Sequence, residues 1–150
     1  MNIENVKRED ASTLTELTIS SKNYWGYGHA QIEQWREELT ITPDYIDQNA
    51  VFKIVKEEQI LGFYAFAPES TEEVKLNFLF VEPEAIGKGY GKRLLTHFLN
   101  SLEGTNYKRV VLDADPHAEA FYSSQGFTVI GKLKSSIEGR FLPIMQLELG

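Results

Sequence analysis

Residues 76–81 read Leu-Asn-Phe-Leu-Phe-Val, a nearly unbroken apolar run, and three alternating glycines follow at Gly87, Gly89 and Gly91. Beyond them Leu94, Leu95, Phe98, Leu99 and Leu102 recur at helical spacing up to Gly104, which predicts a helix over 89–103 with a glycine stop. Residues 108–114 then predict another strand. Strand, helix and strand in that order form a βαβ unit, with parallel strands and a right-handed crossover. A strand covered on both faces has little room for polar residues, in keeping with a strand over 74–81 whose run from Leu76 to Val81 is interrupted only by Asn77. This unit places the chain among the α/β folds.

The rest of the chain supplies elements around it. Residues 10–20 read as a helix with Ala11, Leu14, Leu17 and Thr18 on one side and Asp10 as its cap. Residues 29–39 repeat the pattern through Ile32, Trp35, Arg36 and Leu39. Between them, residues 21–28 form a loop carrying Tyr24, Trp25 and Tyr27 with two glycines; its aromatics either fold onto the core or wall a pocket. From Val51 the period changes to two, giving strands over 51–56 and 60–67 joined by a hairpin at 57–59. Asp115-Pro116 opens a short helix that ends at Gly126, with strands over 127–133 and 141–149 after it. Pro143 cannot donate to a ladder, so full pairing of the last strand is expected only beyond it. With 150 residues and no repeat, low-complexity run or linker, residues 1–150 are expected to form a single domain.

Composition excludes several function classes. Acidic residues outnumber basic ones by 22 to 15, a formal net charge of −7, so no nucleic-acid partner is expected. The acidic excess serves solubility or steers a cationic substrate. No stretch reaches the roughly 20 apolar residues of a membrane span, and the N-terminus lacks a secretory layout, so a cytoplasmic protein without a membrane partner is expected. Cysteine is absent, which removes disulfides, thiolate metal sites and a cysteine nucleophile. His29, His97 and His117 have no metal-ligand spacing and are expected at the surface, with no metal bound.

The glycine loop carries the chemistry. Alternating glycines let the backbone approach a ligand and turn several N–H groups one way, at the positive end of a helix dipole. An anion, typically phosphate, is favoured there, and Lys88, Lys92 and Arg93 add charge in an otherwise acidic chain. A P-loop would need glycine at Ile86 and Ser or Thr at Arg93; a dinucleotide fingerprint beginning at Gly87 would need glycine at Lys92. Neither pattern fits.

Val81-Glu82-Pro83, Gly87-Lys88-Gly89-Tyr90-Gly91 and Leu94-Leu95 together resemble the acyl-CoA-binding motif of the GNAT acetyltransferase superfamily. Downstream, Asp115-Pro116-His117-Ala118-Glu119-Ala120-Phe121-Tyr122 followed by Gly126-Phe127 resembles its second motif. The two cover about a third of the chain, residues 76–127, and the order of the other elements agrees. Trp25-Gly26-Tyr27 and Arg140-Phe141-Leu142-Pro143 resemble a bacterial subgroup whose substrates are largely unassigned. The family usually has Gln or Arg at Ile86 and often Asn at Asp115.

The resemblance implies an α/β (α+β) domain with a central mixed sheet of about seven strands flanked by helices. It implies acetyl-CoA as acyl donor, its pantetheine arm pairing with the backbone of Leu79, Phe80 and Val81 as an added strand would. Amides of Gly87, Lys88, Gly89, Tyr90, Gly91 and Lys92 would hold the pyrophosphate, and Asp115 and Ala118 would line the CoA arm. Trp25, Tyr27 and Asn77 would face the acceptor, a small-molecule or peptide amine. The simpler reading of Asn77 is an amide satisfied by neighbouring backbone. Without cysteine, the amine attacks the thioester directly in a ternary complex. Tyr122 resembles the tyrosine that protonates the departing thiolate, against a role as core aromatic beside Phe121. For the base, the strand offers Lys75 and Asn77 with Glu73 just outside, and a water chain serves equally well. The alternative function is a non-catalytic acyl-CoA-binding or sensing module on the same fold. A homodimer through the last strand is a further possibility.

Overall fold

The computed structural model describes residues 2–137 and 139–150. The elements run β1 (Asn2–Asn5), α1 (Ala11–Asn23), α2 (His29–Leu39), α3 (Pro43–Gln48), β2 (Ala50–Lys56), β3 (Gln59–Pro68), β4 (Glu73–Val81), α4 (Tyr90–Ser101), β5 (Arg109–Asp113), α5 (Glu119–Ser124), β6 (Thr128–Lys134) and β7 (Phe141–Glu148). Short 3-10 turns precede α1, α4 and α5. The seven strands form one mixed sheet in the order β1-β2-β3-β4-β5-β7-β6. By contacts the chain divides into two compact units, Met1–Phe66 with Phe78–Glu103 and Ala67–Asn77 with Gly104–Gly150.

In the first unit β3 is buried on both faces. Phe63 and Ala65 join Leu14 and Leu17 of α1 in one cluster, against which Phe78 and Phe80 pack. The intervening Tyr64 and Phe66 meet Phe98 of α4, with ring centroids 5.4 and 4.9 Å apart. Gly62 leaves no room beside β4: a Cβ there would lie 2.8 Å from the Phe80 carbonyl oxygen and 3.0 Å from Leu94 Cδ1. Only glycine fits without displacing the neighbouring strand. Glu57 and Glu58 turn the β2–β3 hairpin with φ of +52° and +66°, the double left-handed geometry of a tight hairpin turn.

The sequence pattern did not reveal two elements here. β1 is four residues long with Ile3 as its one apolar side chain, too short for a period to emerge. α3 starts at Thr42, whose hydroxyl accepts from the Tyr45 amide at 3.0 Å, with Pro43 at the first position. Asp10 does not cap α1 with its side chain. Its carboxylate accepts from the Lys7 amide at 2.9 Å and from the ammonium of buried Lys53 at 2.8 Å. A buried ammonium needs a partner more than a solvated helix end does.

In the second unit β4 pairs in parallel with β5 over Glu73–Lys75, and β5 pairs antiparallel with β7. β7 lies between β5 and β6, so the last strand has no open edge, and the outer strands of the sheet are β1 and β6. Pro143 limits pairing on one side only: the β5 ladder starts at Ile144↔Asp113, whereas β6 already pairs from Phe141. The β6–β7 register shifts between Val129 and Gly131.

Candidate active site

β4 delivers the chain to the glycine loop. Its parallel pairing with β5 is confined to Glu73–Lys75, while the strand continues to Val81. Leu79 and Phe80 are half-buried and Val81 is buried. Asn77 is exposed, which corrects the expectation of a buried amide in need of partners.

Beyond β4 the backbone folds into a concave run of donors. Gly87 and Gly89 take φ of +85° and +87°, and Gly89 is the N-cap of α4. The Lys88 amide reaches the Ala85 carbonyl at 3.3 Å, and the Arg93 amide starts the helical ladder at the Gly89 carbonyl, 3.1 Å away. Among the described residues, the amides of Gly87, Gly89, Tyr90, Gly91 and Lys92 have no backbone acceptor. A Cβ at Gly87 or Gly89 would meet nothing within 4 Å, so the glycines serve the backbone conformation and leave open space before the donors. Lys88, Lys92 and Arg93 are exposed, and Tyr90, Leu94, Leu95 and Phe98 are buried and anchor α4. Donors of this number, at a helix N-terminus with fixed φ, suit the pyrophosphate of a coenzyme A.

A depression of about 240 Å³ also opens beside the loop, with Lys56, Glu57, Glu82, Glu84 and Lys88 on its rim. Burial and the neighbouring Glu84 raise the Glu82 pKa above the usual carboxylate value. Three carboxyl groups against two ammonium groups leave this hollow with an acidic excess, so the amide run suits an anion better.

On the acceptor side of the expected site, Trp25 is exposed and meets the Tyr24 ring at 4.8 Å, tilted by 41°. Tyr27 is half-buried and meets Trp35 of α2 edge-on at 4.9 Å. The Lys22 ammonium, on the last turn of α1, lies 5.9, 5.6 and 5.8 Å from the ring centroids of Tyr27, Trp35 and Phe80. No local sequence pattern marks this cluster, because its rings come from a loop, a helix and a strand. The one legible signal was a lysine bordering an aromatic loop.

In the second unit Tyr122 is buried on α5, edge-on to Phe121 and Phe127 at 5.2 and 5.4 Å. Burial drives its pKa well above that of a free phenol, so the hydroxyl keeps its proton throughout the physiological range. Asp115 caps the turn before α5 by accepting from the His117 amide at 2.9 Å; Arg140 Nη2 donates to its other oxygen at 3.2 Å. The carboxylate standing where the family often has asparagine is thus engaged within its own unit, with Arg140 as a counter-charge that no local sequence pattern marks. Ala118 is half-buried at the N-cap of α5, its amide on the Asp115 carbonyl at 2.8 Å. The candidate bases on β4 are also occupied: Glu73 accepts from Arg109 at 3.0 Å, and Lys75 pairs with Asp113 at 3.1 Å.

His97 departs from the surface position expected of it. It is half-buried on α4, with Nδ1 2.7 Å from the Tyr64 hydroxyl. Among the described residues no group of three or more His, Cys, Asp or Glu could hold a metal ion, and no helix is long and apolar enough to cross a membrane.

A family model described as an acetyltransferase (GNAT) domain matches residues 7–149. The chain belongs to the GNAT acetyltransferase family. This GNAT chain is 26% identical over 134 residues to the peptidyl-lysine N-acetyltransferase YjaB of Salmonella typhimurium, covering 80% of itself and 90% of that protein. It is 36% identical over 80 residues to the 5-NmdU N-acetyltransferase of Pseudomonas phage PaMx11, covering 51% of itself and 55% of that protein. It spans only 39% of an N-acetyltransferase ycf52-like protein of Prochlorococcus marinus, at 34% identity over 71 residues. Among solved structures, the PaiA N-acetyltransferase of Thermoplasma acidophilum in complex with coenzyme A superposes with a TM-score of 0.81 at 21% identity, over 99% of this chain and 98% of that one. YncA of Salmonella typhimurium, solved with its cofactor acetyl-CoA, superposes with a TM-score of 0.72 at 19% identity, over 100% and 94%. At these identities the structural likeness is one of fold.

Proposed function

We propose that this GNAT domain transfers the acetyl group of acetyl-CoA to a primary amine, on a small molecule or a peptide. The observation that carries this is the run of unengaged amides at Gly87, Gly89, Tyr90, Gly91 and Lys92, held open by two left-handed glycines. Their donors bind the pyrophosphate, and Lys88, Lys92 or Arg93 meets the adenosine phosphate. Leu79, Phe80 and Val81 offer backbone groups to the pantetheine arm in the manner of a neighbouring strand. Acetyl-CoA supplies an activated thioester.

The chain has no cysteine to take up the acetyl group, so the acceptor amine attacks the thioester directly in a ternary complex. An amine of pKa near 10 is mostly protonated at neutral pH, a cost of about 4 kcal/mol that proton removal must offset. Glu73 and Lys75 are tied up in ion pairs, which favours water as the carrier of that proton. Tyr122, its proton retained by burial, donates to the leaving thiolate. Asp115 and Arg140 set the turn from which α5 presents Tyr122. Trp25, Tyr27 and the exposed Asn77 face the acceptor.

A ligand specific to the native state raises Tm by mass action, so millimolar acetyl-CoA should stabilise the protein where ATP and NAD do not. Thiol release with a panel of amines then tests transfer. No acetyl-CoA shift removes the assignment; a shift with no amine-stimulated thiol release points to an acyl-CoA sensing module instead.

A further inference from the structure

We propose that Tyr27, Trp35 and Phe80 form a docking subsite for an alkylammonium group of the acceptor, a group other than the nitrogen that is acetylated, and that Lys22 fills this subsite in the empty enzyme. The acceptor is accordingly a dibasic compound, a diamine or a peptide with two cationic side chains. This rests on the domain being an amine acetyltransferase.

The convergence is specific. A cation counts as held by a ring within about 6 Å of its centroid, and such contacts occur roughly once per 70–80 residues. A chain of 150 residues should therefore show about two in all. Here three fall on the single nitrogen of Lys22, at 5.6 to 5.9 Å, from a loop, a helix and a strand. The walls are fixed: Trp35 is 7% exposed, Tyr27 is set edge-on against it, and Phe80 packs on the core cluster. Lys22 reaches them from outside, on a four-carbon stem that can swing away.

Phe80 is also one of the three residues whose backbone receives the donor arm, so the subsite adjoins the strand on which transfer occurs. A ring cage favours the charged form of whatever nitrogen it holds. A caged nitrogen keeps its proton and is a poor nucleophile. The group bound there is consequently an anchor, and the attacking amine is a second one on the same molecule. Lys22 supplies the same chemistry as that anchor, an ammonium on a slim apolar stem, and acts as an internal competitor that the acceptor displaces.

The test uses choline as a cation that cannot be acetylated and 3,3-dimethylbutan-1-ol as its neutral isostere, titrated by tryptophan fluorescence without acetyl-CoA. Lys22→Ala, which empties the cage and keeps a strong helix former, should bind choline about tenfold more tightly than the parent. The alcohol should gain nothing. Adding Tyr27→Leu to that variant should abolish the gain. Lys22→Gln drops the charge and keeps the stem, and serves as the second variant if alanine disturbs α1. In turnover, 1,5-diaminopentane should exceed 1-aminopentane about tenfold in kcat/KM, a preference lost in Tyr27→Leu while the KM for acetyl-CoA stays put. Equal choline affinity in parent and variants, or an alcohol that binds as well as choline, overturns the proposal. Because the titration omits acetyl-CoA, that failure leaves acetyl transfer standing; loss of the acetyl-CoA thermal shift would instead strike the transfer assignment and not the cage.

Discussion

Gly62→Ala probes the join between β3 and the strand that would grip the donor. The added methyl would lie 2.8 Å from the Phe80 carbonyl oxygen and 3.0 Å from Leu94 Cδ1. Ordinary carbon–oxygen contacts start near 3.3 Å, so β4 must retreat by about half an ångström at Phe80. Overpacking of this kind costs about 1–3 kcal/mol. Loss of glycine's freedom in the unfolded chain returns about 0.4–1 kcal/mol, leaving a net destabilisation of about 1–2 kcal/mol. For a chain of this size that is a fall in Tm of about 2–8 °C, measurable by scanning calorimetry. The same displacement moves the backbone from Leu79 to Val81, so the acetyl-CoA dissociation constant should rise about tenfold by isothermal titration. Ile46→Val on α3 is the control, with a similar stability cost of about 1 kcal/mol and no reason to touch acetyl-CoA binding. A Gly62→Ala protein with the parent Tm would refute the close approach. One that is destabilised but binds acetyl-CoA as the parent does would show that the β4 backbone is not part of the donor site.

Three further outcomes are expected. Gly89→Val places a β-branched residue at φ +87°, so acetyl-CoA affinity by titration should fall at least tenfold while circular dichroism shows the fold retained. Tyr122→Phe keeps the buried ring and removes the proton, so turnover by thiol release should drop about 10²- to 10⁴-fold with acetyl-CoA affinity little changed, and drop less with a more acidic leaving thiol. Asp10→Asn keeps an acceptor oxygen but leaves Glu4, at 3.9 Å, as the carboxylate paired with the Lys53 ammonium among the described residues, and should cost about 1–3 kcal/mol at neutral pH. Burial raises the Asp10 pKa, but the Lys53 hydrogen bond and the Lys7 amide outweigh it and hold the folded value below normal. Its contribution is therefore complete above the unfolded pKa and is lost as pH falls through the folded one, so urea unfolding of the variant should depend less on pH below about 4.

Long periodic segments were legible in the sequence. The helix at His29–Leu39 was placed to the residue, and β3, β4, α4 and β7 to within two, because each buries enough apolar surface to leave a pattern. β1 and α3 left none, being four and six residues long. The glycine loop was readable because its conformation excludes other residues. Contacts made across the chain were not: Lys22 with three rings, Arg140 with Asp115 and Lys53 with Asp10 join positions 5 to 58 residues apart, and no local spacing encodes them. Asn77 was misjudged for a related reason. Its neighbours in the apolar run implied burial, yet the parallel ladder stops at Lys75 and frees that stretch of β4.

The position of β6 bears on how copies of this molecule meet. An outer strand offers a row of unsatisfied backbone groups to which any passing strand can add, the usual seed of aggregation. Here the register shift between Val129 and Gly131 breaks that row, and Lys132 and Lys134 would face their own kind if a second β6 approached antiparallel. The Lys132 ammonium also lies 5.5 Å above the ring of Phe141, shielding one of the exposed aromatics of this region. Growth of the sheet at the β6 edge is thus opposed by both backbone and charge, and what β6 leaves for a neighbour is side chains, chiefly Val129, Ile130 and Leu133, in place of a strand edge.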